Sequence, residues 1–357
     1  MFLCITLSLG QTWNITSTMI AVLSDGVFTV STTANAEPMP DYYLSTPWSD
    51  NRSDIRSVVI EKNITSIGKW SFSECSNLIS VTMSSVTAIE EGAFFSCSSL
   101  TSIPMSNVTT IGDFVFYKCE DIASVTMPNV TTIGVRAFEK CSSLISLTMP
   151  NVTAIEPYAF TDCSALTSVT MPNVITIGHY AFTDCFALTS LTLPASVHYI
   201  HDGAFQNCTG LKNVSVAWIS PLPLYSSFLF PPYYGIDDLW GSPLPFSGVN
   251  TSEITLHVPS GTKARYAQAG VWKDFGTIVE YTVGNETIYT QTLKSYASNN
   301  VLYISGLRPN KPLSIYSING QLVYQGIAKS ETEQISFNVR GVYIVVTEKQ
   351  IAKVVIE

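Results

Sequence analysis

The sequence is poor in charge, since only 13% of its 357 residues are Asp, Glu, Lys or Arg, against about 25% in a typical soluble protein. Basic residues are the scarcer sign, 18 against 27 acidic ones, for a net charge of −9. Nucleic acid is not an expected partner, because its phosphates are held by clustered Lys and Arg. The polar surface must instead be built from Ser, Thr and Asn.

Long apolar runs are also missing. No stretch reaches the roughly 18 apolar residues of a membrane-spanning helix, so we expect no transmembrane segment. Residues 1–10 are apolar like the core of a signal peptide, but the first basic residue is Arg52. Because a signal peptide carries positive charge before its core, we interpret 1–10 as a signal-peptide remnant with a misplaced or truncated start.

Residues that carry chemistry are scarce and scattered. The chain has four histidines, and His198, His201 and Asp202 form a loose cluster without the spacing of a metal site. We interpret them as exposed turn residues. No nucleophile elbow, zinc-protease motif or phosphate-binding loop is present. The sequence therefore predicts no enzyme activity, no cofactor and no metal site.

One 22-residue unit recurs instead. Seven cysteines follow one another at steps of 22 residues, with a last step of 23: Cys75, Cys97, Cys119, Cys141, Cys163, Cys185 and Cys208. A phenylalanine precedes each by three residues: Phe72, Phe94, Phe116, Phe138, Phe160, Phe182 and Phe205. A fixed period of this length indicates one small structural unit stacked on itself.

The unit reads I-G-x-x-A-F-x-x-C-S-x-L-x-S-V-T-M-P-N-V-T-x. Its alternating L-x-x-V-x-M part predicts a short strand, and its I-G-x-x-A-F-x-x-C part a turn or 3₁₀ segment on the opposite face. Ordering 22 residues costs about 20–40 kcal/mol, whereas seven buried side chains return about 10–20 kcal/mol. Neighbouring units must supply the difference, so we predict a solenoid with a parallel sheet on one face.

The cysteine column admits three interpretations: disulfides, metal ligands and buried thiols. Layers in a parallel sheet lie about 4.8 Å apart, whereas the Cβ atoms of a disulfide lie about 3.8 Å apart. Neither paired cysteines nor histidine ligands accompany the column, which disfavours metal. We predict free thiols packed in the core.

The repeat resembles the bacterial surface leucine-rich repeats of the BspA type, also called the Treponema-type subclass, over roughly residues 55–280. Ordinary leucine-rich repeats place Asn at the ninth position of L-x-x-L-x-L-x-x-N. Here Val86, Val130 and Val152 stand there, and the BspA type shares that departure. The resemblance implies a secreted or surface-anchored protein that adheres to host extracellular-matrix proteins or to other cells.

The last segment, 301–357, predicts a small all-β unit. Alternating runs flank Asn319-Gly320, a strong hairpin signal. The stretches "IYSINGQLVYQG", "GVYIVV" and "AKVVIE" resemble the C-terminal sorting domain of the type IX secretion system. That resemblance implies export across the outer membrane in a member of the Bacteroidetes. A generic β-sandwich module is the alternative.

The predicted organisation is a repeat solenoid plus a small C-terminal all-β sandwich. The expected parts are a signal-peptide remnant at 1–10, an N-terminal cap at 11–66, seven repeats at 67–216, an aromatic insertion with a degenerate capping repeat at 217–282, a linker at 283–300 and the sorting-type domain at 301–357.

Two surfaces are candidates for binding. The first is the outward side of the predicted strands, an uncharged hydroxyl array interrupted by Pro104; alternatively, these residues only solvate a sheet. The second is the aromatic, Pro-rich insertion, which suits sugar stacking or protein contacts; the favoured alternative is that it covers the open end of the core. The candidate binding residues are Ser124, Thr126, Ser146, Thr148, Ser168, Thr170, Ser190, Thr192, Tyr225, Tyr233, Tyr234 and Trp240.

We therefore expect a non-enzymatic, monomeric, extracellular or outer-membrane-surface protein whose partner is an extracellular protein or a glycan. A polysaccharide-binding or structural surface protein without a protein receptor is the alternative.

Overall fold

A computed structural model describes residues 10–43, 45–224 and 243–281 of the chain, and in its last part 294–298, 301–305, 307, 311–317, 322–330, 332–336, 341–347 and 351–356. Successive repeats form the coils of a solenoid, which confirms the predicted fold class. Most coils contribute one strand to a parallel arrangement that we call the strand face. Its strands are Ser57–Ile60, Ser80–Met83, Ser124–Thr126, Ser146–Thr148, Ser168–Thr170, Ser190–Leu193, Asn213–Val216, Thr255–Pro259 and Thr277–Tyr281.

The register is strict within the three paired strands Ser124–Thr126, Ser146–Thr148 and Ser168–Thr170 of the strand face. Ser146 pairs with Ser124 on one side and with Ser168 on the other, so equivalent positions of the repeat lie side by side. The coil that contains Pro104 contributes no strand, and its Ser102 forms an isolated bridge with Ser80. Proline has no backbone N–H to donate to a ladder, which accounts for that interruption.

A second parallel ladder of two-residue strands runs along another side of the coils. It consists of Ser66–Ile67, Ala88–Ile89, Thr110–Ile111, Thr132–Ile133, Ala154–Ile155, Thr176–Ile177 and Tyr199–Ile200. The sequence predicts a sheet on one face only, and this second ladder departs from that prediction. The isoleucines point inward and are buried, while the preceding residues face outward. Strands of only two residues are too short to show an alternating pattern in the sequence.

The segment from the repeat glycine to the cysteine is a turn. Of the two predicted alternatives, a turn or a 3₁₀ segment, the first is therefore observed. Two positions in each turn have positive φ, for example Phe114 (55°) and Lys118 (57°). Left-handed residues of this kind interrupt a 3₁₀ helix. The turns are joined by backbone hydrogen bonds between coils, such as Phe116 N to Ala137 O (2.7 Å), which compensate for the unfavourable dihedral angles.

The repeat phenylalanines form a continuous stack along the solenoid axis. All seven are fully buried, as predicted. Neighbouring rings are nearly parallel, and their centroids lie between 5.0 Å for Phe116–Phe138 and 5.7 Å for Phe94–Phe116. Since one ring comes from each coil, every coil is packed against both neighbours through this stack.

The cysteines form a second buried column, and all seven are free thiols, as predicted. Six of them donate a weak hydrogen bond to the phenylalanine carbonyl of the preceding coil; for Cys141 the Sγ–O distance to Phe116 is 3.2 Å. The thiol is therefore a small apolar group that also satisfies a buried carbonyl. Burial raises the pKa of Cys75 to about 12, so the thiolate is strongly disfavoured.

Aromatic side chains close both ends of the core. At the upstream end, strands Gln11–Asn14, Met19–Ser24 and Val27–Thr32 continue the sheet beyond Ser57–Ile60. Trp48, which precedes the 3₁₀ helix Ser49–Asp54, packs there against Phe72. At the downstream end lie the helix Lys263–Tyr266 and the 3₁₀ helices Thr251–Glu253 and Gly270–Asp274. Trp272 is buried there.

One residue of the aromatic insertion belongs to the core. Phe246 is 4% exposed and stacks on Phe205 with 5.4 Å between ring centroids. The Phe205 N–H donates to Pro245 O at 2.8 Å, as it would to a regular next coil. Phe246 lies in the range 217–282 that the sequence predicts to be an insertion and a degenerate cap, but its local P-F segment takes the place of A-F in an eighth turn.

The C-terminal part forms two antiparallel sheets. Their strands are Lys294–Ser298, Val301–Ser305, Thr332–Ser336 in one, and Leu322–Ile327, Pro312–Ser317, Gly341–Thr347, Ile351–Ile356 in the other. Leu302 and Ile315, from different sheets, share one small core. The Asn319-Gly320 turn lies outside the described residues, although the strands that flank it do pair. Lys294–Ser298 lies within the expected linker, so that part is a strand instead.

Candidate functional site: the strand face

The outward side of the strand face carries two hydroxyl columns. In each strand from Ser124–Thr126 to Ser190–Leu193, the residue between serine and threonine points into the core; Leu147, for example, is 2% exposed. The serine and threonine on either side face outward and are exposed or half-buried. The predicted parity of the strands is therefore confirmed for all eight of these candidate residues.

The register places these hydroxyls on a regular grid. Serines pair with serines and threonines with threonines in Ser124–Thr126, Ser146–Thr148 and Ser168–Thr170. Paired strands lie about 4.8 Å apart, and alternate residues of a strand lie about 6.6 Å apart. A partner therefore meets the same two hydroxyls again at each of these three coils.

These hydroxyls are not used by the protein itself. Within the described part of the chain, none of the eight candidate Ser and Thr side chains forms a hydrogen bond. Threonines beside the second ladder behave differently: the Thr109 hydroxyl donates to Thr87 O at 3.1 Å, and the Thr131 hydroxyl to Thr109 O at 3.3 Å. The two hydroxyl-rich sides of the solenoid therefore differ. Hydroxyls beside the second ladder form hydrogen bonds between coils, whereas those of the strand face point to solvent.

The centre of the strand face is uncharged and lacks aromatic rings. Its four central strands with their flanking residues, 123–128, 145–150, 167–172 and 189–194, contain only Ala, Ser, Thr, Val, Leu, Ile, Met and Pro. Ile145 lies at its border and is 51% exposed. The surface thus offers neutral hydrogen-bonding groups beside small apolar patches.

The remaining candidates, Tyr225, Tyr233, Tyr234 and Trp240, lie outside the described residues. Their prediction as binding residues stays a prediction. Leu224, which directly precedes this segment, is buried.

The histidine cluster differs from the sequence interpretation. His179 and His201 stack with 4.6 Å between ring centroids, and Asp202, expected to be exposed, is 2% exposed. Desolvation lowers the pKa of His201, and the neighbouring His179 acts in the same direction. Within the described residues no group of three His, Cys, Asp or Glu side chains is placed to hold a metal ion.

Sequence reasoning also missed the outward residues of the turns. We call the outward side chains of the segments 90–96, 112–118, 134–140, 156–162, 178–184 and 201–207 the turn face. It carries half-buried aromatic side chains, with Phe95 stacked on Tyr117 at 4.8 Å and Tyr158 on Tyr180 at 5.1 Å. The signal was present as variable positions of the repeat, which periodicity analysis discards.

Residues 50–164 and 131–220 match the family model described as "BspA type Leucine rich repeat region", in six copies. The repeats of this chain are similar to BspA-type leucine-rich repeats. Curated proteins yield no match. In the described part of the chain, no helix is long and apolar enough to cross a membrane.

Several solved bacterial repeat proteins are similar to the chain. A leucine-rich repeat protein from Eubacterium ventriosum is 23% identical, with 76% of this chain and 93% of that chain covered and a TM-score of 0.30. A leucine-rich cell surface protein from Faecalibacterium prausnitzii is 21% identical, with 78% and 96% covered and a TM-score of 0.36. A leucine-rich repeat protein from Bacteroides ovatus is 16% identical, with 75% and 100% covered and a TM-score of 0.31.

Proposed function

We propose that this protein is a non-enzymatic, secreted or cell-surface binding protein whose strand face binds an extracellular protein. The observation that carries the proposal is the grid of hydroxyls that make no hydrogen bond within the described chain. Polar groups of this kind are free to bond a partner without first breaking bonds of the protein. The match of the repeats to the BspA type supports adhesion to host matrix proteins or to other cells as the role.

The neutral character of the surface restricts the partner. A charged ligand would find no counter-charge on the four central strands with their flanking residues, whose segments contain no Asp, Glu, Lys or Arg. An extended, uncharged segment with repeated hydrogen-bonding groups would meet complementary groups at each of the four central strands. Repetition of weak contacts along one partner gives affinity through many small terms rather than through one hot spot.

A polysaccharide-binding or structural role without a protein receptor is the second candidate. Sugars are commonly bound by aromatic stacking, and the central strands carry no aromatic residue. The glycan hypothesis therefore depends on the insertion, with Tyr225, Tyr233, Tyr234 and Trp240, rather than on the strand face.

The proposal includes delivery to the outside of the cell. The similarity of 301–357 to a type IX sorting domain supports export to the outer-membrane surface, with residues 11–66 and 217–282 as caps of the binding solenoid. In this arrangement the C-terminal unit carries the address, and the repeats carry the binding surface.

Panels of immobilised matrix proteins and of glycans would separate the two candidates. Thr148→Glu places a charge in the middle of the hydroxyl grid, and we expect it to reduce binding to a matrix protein by about tenfold or more, since the new carboxylate is desolvated by the partner. Thr153→Glu, beside the second ladder, is the matched control and should bind normally. Equal binding by both variants would refute the strand face as the site, and binding to glycans alone would favour the second candidate.

A further inference from the structure

The turn face carries a column of charges with an unusual order. One position of the turn is occupied in successive coils by Lys118, Lys140, Asp162 and Asp184. Like charges are therefore neighbours in adjoining coils, which is unfavourable within one chain. Within the described part of the chain, none of the four forms an ion pair.

The backbone fixes the order and spacing of this column. Lys118 N donates to Glu139 O at 2.9 Å, Lys140 N to Thr161 O at 2.8 Å, and Asp162 N to Thr183 O at 2.9 Å. Each charge therefore belongs to one coil, and coils follow one another at about 4.8 Å. Along the solenoid axis the four charges are plus, plus, minus, minus. In a copy that runs in the opposite direction the order is minus, minus, plus, plus, so opposite charges would face each other.

A second column of the turn face obeys the same reversal. It reads Gly92, Phe114, Arg136, Tyr158, Tyr180 and Gly203. Read backwards against itself, it places a cation opposite a tyrosine, one aromatic ring opposite another, and a glycine opposite a glycine. In the chain itself the Arg136 guanidinium already lies 4.4 Å from the Tyr158 ring centroid, so the tyrosine is a suitable cation–π partner.

The two glycines mark the borders of this cluster. Gly92 and Gly203 share a φ of +62°, and a Cβ atom at either position would lie within 2.6 Å of the ring of Trp70 or Tyr180, respectively.

A third column of the turn face places Asp113 opposite His179 in the same reversal. Its one like-charge pair is Glu91 opposite Asp202, and Asp202 is 2% exposed.

From this pattern we propose that the turn face binds a second copy of this chain in an antiparallel, two-fold symmetric dimer. The two-fold axis passes between the coils of Lys140 and Asp162. Lys140 of each copy then meets Asp162 of the other, and Lys118 meets Asp184, so every pair occurs twice. A two-fold interface requires this self-complementarity, which a surface for an unrelated partner does not.

The dimer has a defined consequence for binding. Six coils at about 4.8 Å give a contact about 29 Å long, which belongs to the lower end of specific interfaces, so we expect micromolar affinity. The strand face lies on a different side of each coil from the turn face. Both strand faces therefore remain available, and the dimer is bivalent toward an immobilised partner. A dimer of this kind takes the place of the monomer expected from the sequence.

Charge reversal and charge exchange test the proposal with the full 357-residue chain. Sedimentation velocity from about 1 to about 100 μM should show a fraction of dimer that rises with protein concentration. Lys140→Glu alone and Asp162→Lys alone each create two like-charge contacts, and we expect each to weaken association by about tenfold or more. The combined variant restores opposite charges and should dimerise like the unmodified chain.

Two further measurements complete the test. Thr148→Glu on the strand face is the control for a simple change of net charge and should leave association unchanged, and all variants should keep the circular dichroism of the unmodified chain. A monomer throughout the concentration range, or a combined variant that stays as weak as the single ones, would overturn the proposal. Binding of heparin through Lys118 and Lys140 to a chain that remains monomeric would assign the turn face to an anionic ligand instead.

Discussion

The phenylalanine stack gives the sharpest test of how the coils hold together, and Phe138→Ala is its most direct perturbation. Phe138 is fully buried, with ring centroids 5.0 Å from Phe116 and 5.3 Å from Phe160. Removing the ring leaves a cavity in the middle of the solenoid and breaks the stack into two parts. Surrounding coils have limited freedom to fill the gap, because backbone hydrogen bonds fix their spacing.

The magnitude follows from the buried area. A phenylalanine buries about 150–200 Å², which at about 25 cal/mol per Å² corresponds to about 4–5 kcal/mol. Phe→Ala changes in protein cores cost about 3–5 kcal/mol, so we expect a loss of 3–5 kcal/mol in the free energy of unfolding. Phe138→Leu keeps most of the volume but loses both ring contacts, and about 1–2 kcal/mol is the expected cost.

Urea unfolding followed by two probes measures this loss. Circular dichroism reports on all coils, whereas tryptophan fluorescence reports on the ends, because no tryptophan lies between Trp70 and Trp218. Ser146→Ala on the strand face is the control and should change the stability by less than about 0.5 kcal/mol. Equal losses for Phe138→Ala and Ser146→Ala would refute the assignment of inward and outward faces. Separate transitions for the two probes in Phe138→Ala alone would show that the stack couples the two halves.

Two remaining predictions concern the thiols and the tail. A thiol reagent at pH 8 should not modify the seven repeat cysteines in the folded protein, because all seven are buried away from the reagent and because burial raises the pKa of the six from Cys75 to Cys185; unfolding without reductant should expose all seven, and quantitative disulfide pairing would contradict the buried-thiol column. Deletion from Lys294 removes every strand of the C-terminal sheets and should leave the repeat circular dichroism unchanged, since their core is separate from that of the repeats, while abolishing surface export in the native host; normal export of the shortened chain would refute the sorting assignment.

The interior of the repeat was predictable because one residue type recurs at each inward position. Phenylalanine and cysteine occupy the positions of Phe138 and Cys141 in all seven repeats, and these side chains are buried in the same way in each repeat. Periodicity therefore identified the core, the strand parity and the free thiols. It also gave the outward grid around Ser146 and Thr148, because alternation in a strand assigns a side to each residue.

The second ladder and the eighth coil were not predictable by the same reasoning. Strands of two residues, such as Ala154–Ile155, contain no alternation to detect, and their pairing depends on the register set by the other sides of the coil. Phe246 lies 41 residues after Phe205, so the insertion hides its period. The strand Lys294–Ser298 is rich in polar residues and forms through its antiparallel partner Val301–Ser305, a contact that local composition does not reveal.

Outward positions whose residue type changes from coil to coil are not detected by a search for periodicity, although they indicate what each surface contacts. An inward residue is constrained by two neighbouring coils, so it varies little, whereas an outward residue meets solvent or a partner. The hydroxyl grid is uniform and suits a partner that repeats along the axis. The charges from Lys118 to Asp184 instead change sign between Lys140 and Asp162, which no repeating partner would match and which a reversed copy of the same column does match. Uniform and non-uniform outward columns on one solenoid therefore point to two different contacts, an extended partner on the strand face and a second copy of the chain on the turn face.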